Sequence, residues 1–281
     1  VKCYKKHFAV NGANMSIERG DIYGFVGENG SGKTTIIRLI TGLIFPQSGS
    51  FELFGIKNTE KAINEARRGI GAIVENPSIY LNMSAYDNLK QQCILLGKDE
   101  KQILPTLKEV GLENLYYEKK KAGDFSLGMR QRLGIAMALL GEPEFLILDE
   151  PMNGLDPAGI VGIRELILRL NRERGITFLI SSHILTELSL VATKYGIISK
   201  GRLLKEITAE QLHQECTKTT TFSAADPNAL AECIRSAFPE SVMKRTNEGV
   251  SLLGDIDLNS ILTAVLGENI KLLSINCSST S

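Results

Sequence analysis

The stretch Gly27-Glu28-Asn29-Gly30-Ser31-Gly32-Lys33-Thr34-Thr35 limits the possible folds of this chain more than any other. It fits the pattern G-x-x-x-x-G-K-[ST] and lies between two apolar runs of different character. Residues 21–26 ahead of it read as a buried strand, and residues 34–40 after it read as a helix. In that setting the glycines let successive backbone N–H groups turn inward as a nest for an anion, and the new helix adds the positive end of its dipole. Lys33 is then placed to reach the β- and γ-phosphates of a nucleoside triphosphate, and the Thr34 hydroxyl to ligate Mg²⁺. Glu28, Asn29, Gly30, Ser31, Gly32 and Thr35 complete the expected cradle.

The remaining periodicity sets the architecture around this loop. Strands are expected at 51–54, 70–74, 145–148, 176–180 and 196–198, with helices between them. Such alternation predicts a mostly parallel sheet with helices on both faces. Residues 1–4, 8–10 and 15–17 read as two short antiparallel strands around polar turns. From Ser84 the pattern turns helical, with Ser84 and Asp87 spaced as a capping box, and helices are expected through Gly97 and from about 100 to 110. A helix from Asp156-Pro157 to Gly175 has proline at its first position and glycine after its end. Beyond about Thr208 the order becomes strand 219–222, helix 227–238, strands 242–245 and 250–253, helix 258–266 and strand 271–275, a ferredoxin-like β-α-β-β-α-β unit.

Composition excludes several function classes. Lys+Arg and Asp+Glu are both 32, so no basic arm for nucleic acid is expected. The cysteines, Cys3, Cys93, Cys216, Cys233 and Cys277, are scattered without a C-x-x-C pair, which suits reduced thiols in a cytosolic protein. The longest apolar runs fall short of a membrane span and no signal peptide is read, so a membrane role is expected to pass through a partner.

Two further segments carry chemistry. Residues 145–148 end in Asp149-Glu150, an apolar strand closed by two carboxylates, the Walker-B arrangement that puts an acid on the metal. Phe125-Ser126-Leu127-Gly128-Met129-Arg130-Gln131-Arg132 opens a helix just ahead of it. Taken with the phosphate loop, these residues resemble the nucleotide-binding subunit of an ATP-binding cassette (ABC) transporter over about residues 1 to 205. Ser126 and Gly128 match the family signature written L-S-G-G-Q, while Leu127 and Met129 depart from it as in subunits of ABC-2-type exporters.

The resemblance implies ATP and Mg²⁺ as ligands. It implies Tyr4 as the adenine-stacking aromatic, Asp149 on the metal, Glu150 orienting and deprotonating the attacking water, and His183 on the γ-phosphate and that water, with Lys33 in the catalytic set. Ser126, Gly128 and Asp156 would act in trans, on ATP held by a head-to-tail partner that is a second copy or a homologous subunit. Glu75 stands where most of the family has Gln; with Thr34 and Asp149 it forms the expected metal set, since a glutamate offers an anionic ligand.

These features and the C-terminal unit look like the bacitracin-resistance and lantibiotic-immunity branch. That implies an exporter ATPase on the inner face of the cell membrane, paired with transmembrane permease subunits and expelling a peptide antibiotic. A soluble ABC ATPase acting on a cytosolic nucleoprotein, or an exporter subunit for another hydrophobic substrate, are the alternatives. The expected fold is an α/β P-loop ABC ATPase core over 1–207, with antiparallel N-terminal strands and a helical subdomain at about 78–142. A small α+β accessory domain over 208–281 completes the chain.

Overall fold

Three apolar runs supply the centre of the structure. Ile22–Val26, Phe145–Asp149 and Thr177–Ser182 are strands buried along almost their whole length, as a parallel sheet covered on both faces requires. The computed structural model describes residues 1–5, 7–215, 218–246, 249–254, 257–268 and 270–279. It divides into two units, Val1–Ala209 and Glu210–Ser281.

The first unit begins with β1 (Lys2–Tyr4), β2 (His7–Val10), β3 (Ile22–Val26), α1 (Lys33–Thr41), β4 (Glu52–Leu53), β5 (Ile56–Lys57), α2 (Ile63–Ala66) and β6 (Ile70–Ile73). It continues with α3 (Ala85–Leu96), α4 (Ile103–Glu109), α5 (Leu127–Leu139), β7 (Phe145–Asp149), α6 (Pro157–Arg174), β8 (Thr177–Ser182), α7 (Leu185–Leu188), β9 (Lys194–Ser199) and β10 (Arg202–Thr208). A six-stranded sheet has the order β10-β9-β3-β8-β7-β6. Its strands from β9 to β6 are parallel, and β10 closes one edge antiparallel to β9. The pairs β1-β2 and β4-β5 are separate two-stranded antiparallel sheets. Tyr23, Phe25, Ile37, Ile147 and Leu179 join in the core beneath α1.

Helix ends follow local chemistry. Ser84 caps α3 by accepting from Asp87 N, and Gly97 ends that helix in the left-handed region at φ 65°. Asp156 caps α6 by accepting from Gly159 N, Pro157 takes the first helical position, and Gly175 closes the other end.

The expected strand at residues 15–17 does not form. Met15 and Ile17 do pack on the core, but Ser16 N donates to Glu206 Oε1 at 3.0 Å and Ser16 O accepts from Lys194 Nζ at 2.8 Å. Side chains of β9 and β10 therefore satisfy backbone groups that a ladder would have used. The helix between the strands expected at 176–180 and 196–198 is a single turn, Leu185–Leu188.

After α8 (Ala209–Glu215), the second unit contains β11 (Lys218–Ala224), α9 (Pro227–Ala237), β12 (Val242–Thr246), β13 (Gly249–Leu253), α10 (Leu258–Gly267) and β14 (Leu272–Ser279). The sheet order β12-β13-β11-β14, antiparallel throughout, is the split βαβ arrangement. Phe222, Leu230, Ile234, Val250, Leu252 and Val265 form its own core.

Candidate active site

The loop between β3 and α1 is shaped by its glycines. Gly32 sits at φ 111° as the N-cap of α1, and a Cβ there would meet the Ala9 carbonyl oxygen. Gly27 is equally confined, since a Cβ would meet Ile198 O and Ser31 Oγ. No side chain caps α1. Its first N–H groups therefore remain available to an anion.

Lys33 lies inside this loop, 5% exposed. Its Nζ donates to Gly27 O at 2.5 Å and Glu28 O at 3.2 Å, and stands 3.4 Å from Glu150 Oε1. Thr34 Oγ1 donates to Asp149 Oδ2 at 2.9 Å, and Asp149 is 2% exposed. His183 Nδ1 lies 2.8 Å from Glu150 Oε2. The ends of β3, β7 and β8 thus gather Lys33, Thr34, Asp149, Glu150 and His183, although these residues come from three regions of the sequence.

One buried polar atom of this loop, Ser31 Oγ, lacks a hydrogen-bond partner, while Glu150 Oε1 has only its ion pair with Lys33 at 3.4 Å. A buried polar atom left unpaired is costly, so Ser31 Oγ points to something the loop is built to receive. The donor set fits a triphosphate with Mg²⁺: N–H groups, a lysine and a hydroxyl for phosphate oxygens, and Thr34 with Asp149 for an ion that takes a carboxylate or two and keeps several waters. Among the described residues no group of three or more His, Cys, Asp or Glu is gathered for a metal, which leaves a hydroxyl and one carboxylate as the arrangement at this position.

Glu75 is engaged elsewhere. Its Oε1 accepts from Arg38 Nη2 at 2.6 Å, and its backbone is left-handed at φ 65°. Tyr4 is 45% exposed at the end of β1, with Lys2 Nζ 5.5 Å from the ring centroid. Its hairpin reaches the loop through Ala9, whose carbonyl abuts Gly32.

Ser126, Gly128 and Asp156 meet apart from this cluster. They line one open cavity of about 540 Å³ with Met129 and Gly159. Ser126 Oγ accepts from Met129 N at 3.2 Å as the cap of α5, which leaves its own proton free to donate outward. The starts of α5 and α6 both face this cavity through Gly128 and Gly159.

One residue of the site had no signal in the motifs. Ser181 is fully buried, pairs in register with Asp149, donates to Asp149 Oδ1 at 2.5 Å and accepts from Glu150 N at 2.9 Å. A serine two positions ahead of His183 in an apolar strand was the only hint.

A family model described as "ABC transporter" matches residues 10–153. The chain is 48% identical over 229 residues to the bacitracin transport ATP-binding protein BcrA of Bacillus licheniformis, spanning 81% of this chain and 74% of that protein. It is 45% identical over 205 residues to the lantibiotic transport ATP-binding protein SrtF of Streptococcus pyogenes, spanning 73% of this chain and 86% of that protein. A bacterial ABC transporter cassette solved as a dimer superposes with a TM-score of 0.64 at 25% identity, covering 72% of this chain and 91% of that one.

Proposed function

The chain belongs to the ABC transporter family as an ATP-hydrolysing subunit, and from that premise we propose that it powers a membrane exporter of a peptide antibiotic. The observation that carries the hydrolytic part is the connected cluster of Lys33, Thr34, Asp149, Glu150 and His183. The names of the relatives support the substrate class.

In this reading the phosphate loop wraps the triphosphate, and Lys33 exchanges Glu150 and its two carbonyl partners for phosphate oxygens. Thr34 and Asp149 hold Mg²⁺, which when bound neutralises charge on the phosphates. Glu75 joins that set when it leaves Arg38. Glu150 orients a water and takes its proton, and His183 holds Glu150 and the γ-phosphate in line. Phosphoryl transfer needs little covalent help, so this placement supplies most of the catalysis. Tyr4 stacks on the adenine.

Ser126 and Gly128 cap the γ-phosphate of ATP bound to a second copy or a homologous subunit, with Asp156 at the same seam. ATP then favours the closed dimer by contacts absent from the open form. That closure would pull on transmembrane permease subunits, placing the chain on the inner face of the membrane. No helix among the described residues is long and apolar enough to cross a membrane.

The test uses Glu150→Gln protein, which should trap the ATP state. Light scattering with ATP and Mg²⁺ should show the mass doubling. Affinity capture from gently solubilised native membranes should bring down a polytopic membrane protein. A monomer under all conditions, or capture of ribosomal or DNA-bound proteins alone, would overturn the proposal.

A further inference from the structure

β8 ends in two serines that do different work. Ser181 faces the acids: its hydroxyl accepts from Glu150 N at 2.9 Å and gives its proton to Asp149 Oδ1 at 2.5 Å. The hydroxyl has one proton and Glu150 N–H can only donate, so the direction of both bonds is fixed. The other oxygen of Asp149 takes the Thr34 hydroxyl at 2.9 Å. Two elements that are remote in sequence, β8 and α1, therefore pin the plane of one buried carboxylate.

The second bond acts on the next residue. Glu150 has φ 50°, a conformation that a residue with a side chain adopts only when its surroundings impose it. Its N–H is held by Ser181 alone, at Oγ and at the backbone O 3.2 Å away. The same hold leaves the Glu150 carboxylate between Lys33 and His183.

We propose that Ser181 is a positioning residue for ATP hydrolysis, using one hydroxyl to aim Asp149 at the metal and to fix Glu150 where it meets the attacking water. This rests on the roles given to Asp149 and Glu150 under the proposed function. Partners that orient a metal-holding carboxylate are typically worth 10- to 100-fold in metal affinity or activity. Ser182 is the internal comparison: its hydroxyl accepts from Ile184 N at 3.0 Å and donates to Glu187 Oε2 at 3.0 Å, bracing the turn that follows His183.

The experiment measures binding of a fluorescent ATP analogue to the full chain in EDTA. It also measures Mn²⁺ occupancy in the presence of ATP by electron paramagnetic resonance. The proteins are the unsubstituted chain, Ser181→Ala, Ser181→Cys and Ser182→Ala. Metal-free nucleotide affinity should agree within about twofold across the set, because the phosphate loop is untouched. Half-saturating Mn²⁺ should rise about 10- to 100-fold in Ser181→Ala, and less in Ser181→Cys, which keeps the volume and a weaker donor. Ser182→Ala should not shift it.

Unshifted Mn²⁺ dependence in both Ser181 variants overturns the proposal. Should Ser181→Ala lose metal-free binding as well, its fold is damaged and Ser181→Cys decides. Should both lose it, the hydroxyl is a folding element and the positioning role falls. If the unsubstituted chain itself shows no metal-dependent binding, the reading of Asp149 fails instead.

Discussion

Replacing Glu75 by Gln separates what the Arg38 contact does for stability from what the carboxylate does for metal. The two side chains stand 2.6 Å apart, but they are 39% and 55% exposed, so water screens their attraction. An exposed pair of this kind contributes about 0.2–1 kcal/mol. The left-handed backbone at φ 65° costs the same with Gln as with Glu, so it drops out of the comparison.

Glu75→Gln should therefore lower the Tm of the first unit by no more than about 4 °C, using roughly 2–4 °C per kcal/mol for a unit of this size. A double-mutant cycle with Arg38→Ala, read from denaturant midpoints, should give a coupling of about 0.2–1 kcal/mol. That coupling should fade in 1 M NaCl, where the screening length is about 3 Å. A coupling above about 2 kcal/mol, or one indifferent to salt, would show that the pair belongs to a buried network and would refute the surface-pair argument.

The same variant then reports on chemistry. If Glu75 joins Thr34 and Asp149 on the metal, Glu75→Gln should raise the Mg²⁺ needed for half-maximal hydrolysis although stability hardly moves. An unchanged Mg²⁺ dependence removes Glu75 from the metal set.

Gly32→Ala should abolish nucleotide binding in a filter assay, because the added Cβ meets Ala9 O at φ 111°; retained affinity would mean the loop relaxes by another route. Ser126→Ala should cost about 0.5–2 kcal/mol of stability through the lost cap, and it should also weaken ATP-driven dimerisation, whereas a variant that still dimerises fully would confine Ser126 to capping. Burial, then Glu206, push the Tyr23 phenol well above its usual range. The folded chain keeps that proton where the unfolded chain releases it, so this stability is present below pH about 10 and is lost as pH rises further. Tyr23→Phe should flatten the alkaline limb of a stability–pH curve, and parallel curves for the two proteins would contradict the assignment.

The parts of the site legible in the sequence were those whose physics is local. The phosphate loop is a strand, a glycine turn and a helix in succession, so its glycine positions and the placement of Lys33 and Thr34 follow from neighbouring residues. The caps at Ser84, Ser126 and Asp156 are equally local, each closing on an N–H three residues ahead. The alternation of apolar runs fixed the sheet type for the same reason. The strand misread at residues 15–17 shows the limit, since its apolar alternation is real but its hydrogen-bond partners are Glu206 and Lys194.

What only the tertiary structure decided depends on register between distant strands. That Asp149 stands opposite Ser181 follows from how β7 pairs with β8, and a shift of one residue would turn Ser181 to the other face. The contact of Arg38 with Glu75 likewise needs α1 and the end of β6 brought side by side. The sequence by itself thus determined the loop, the caps and the acids at the end of their strand, because bonds between near neighbours define them. The tertiary structure decided which hydroxyl orients those acids and which cation holds Glu75, because those bonds join residues that only the packed sheet brings together.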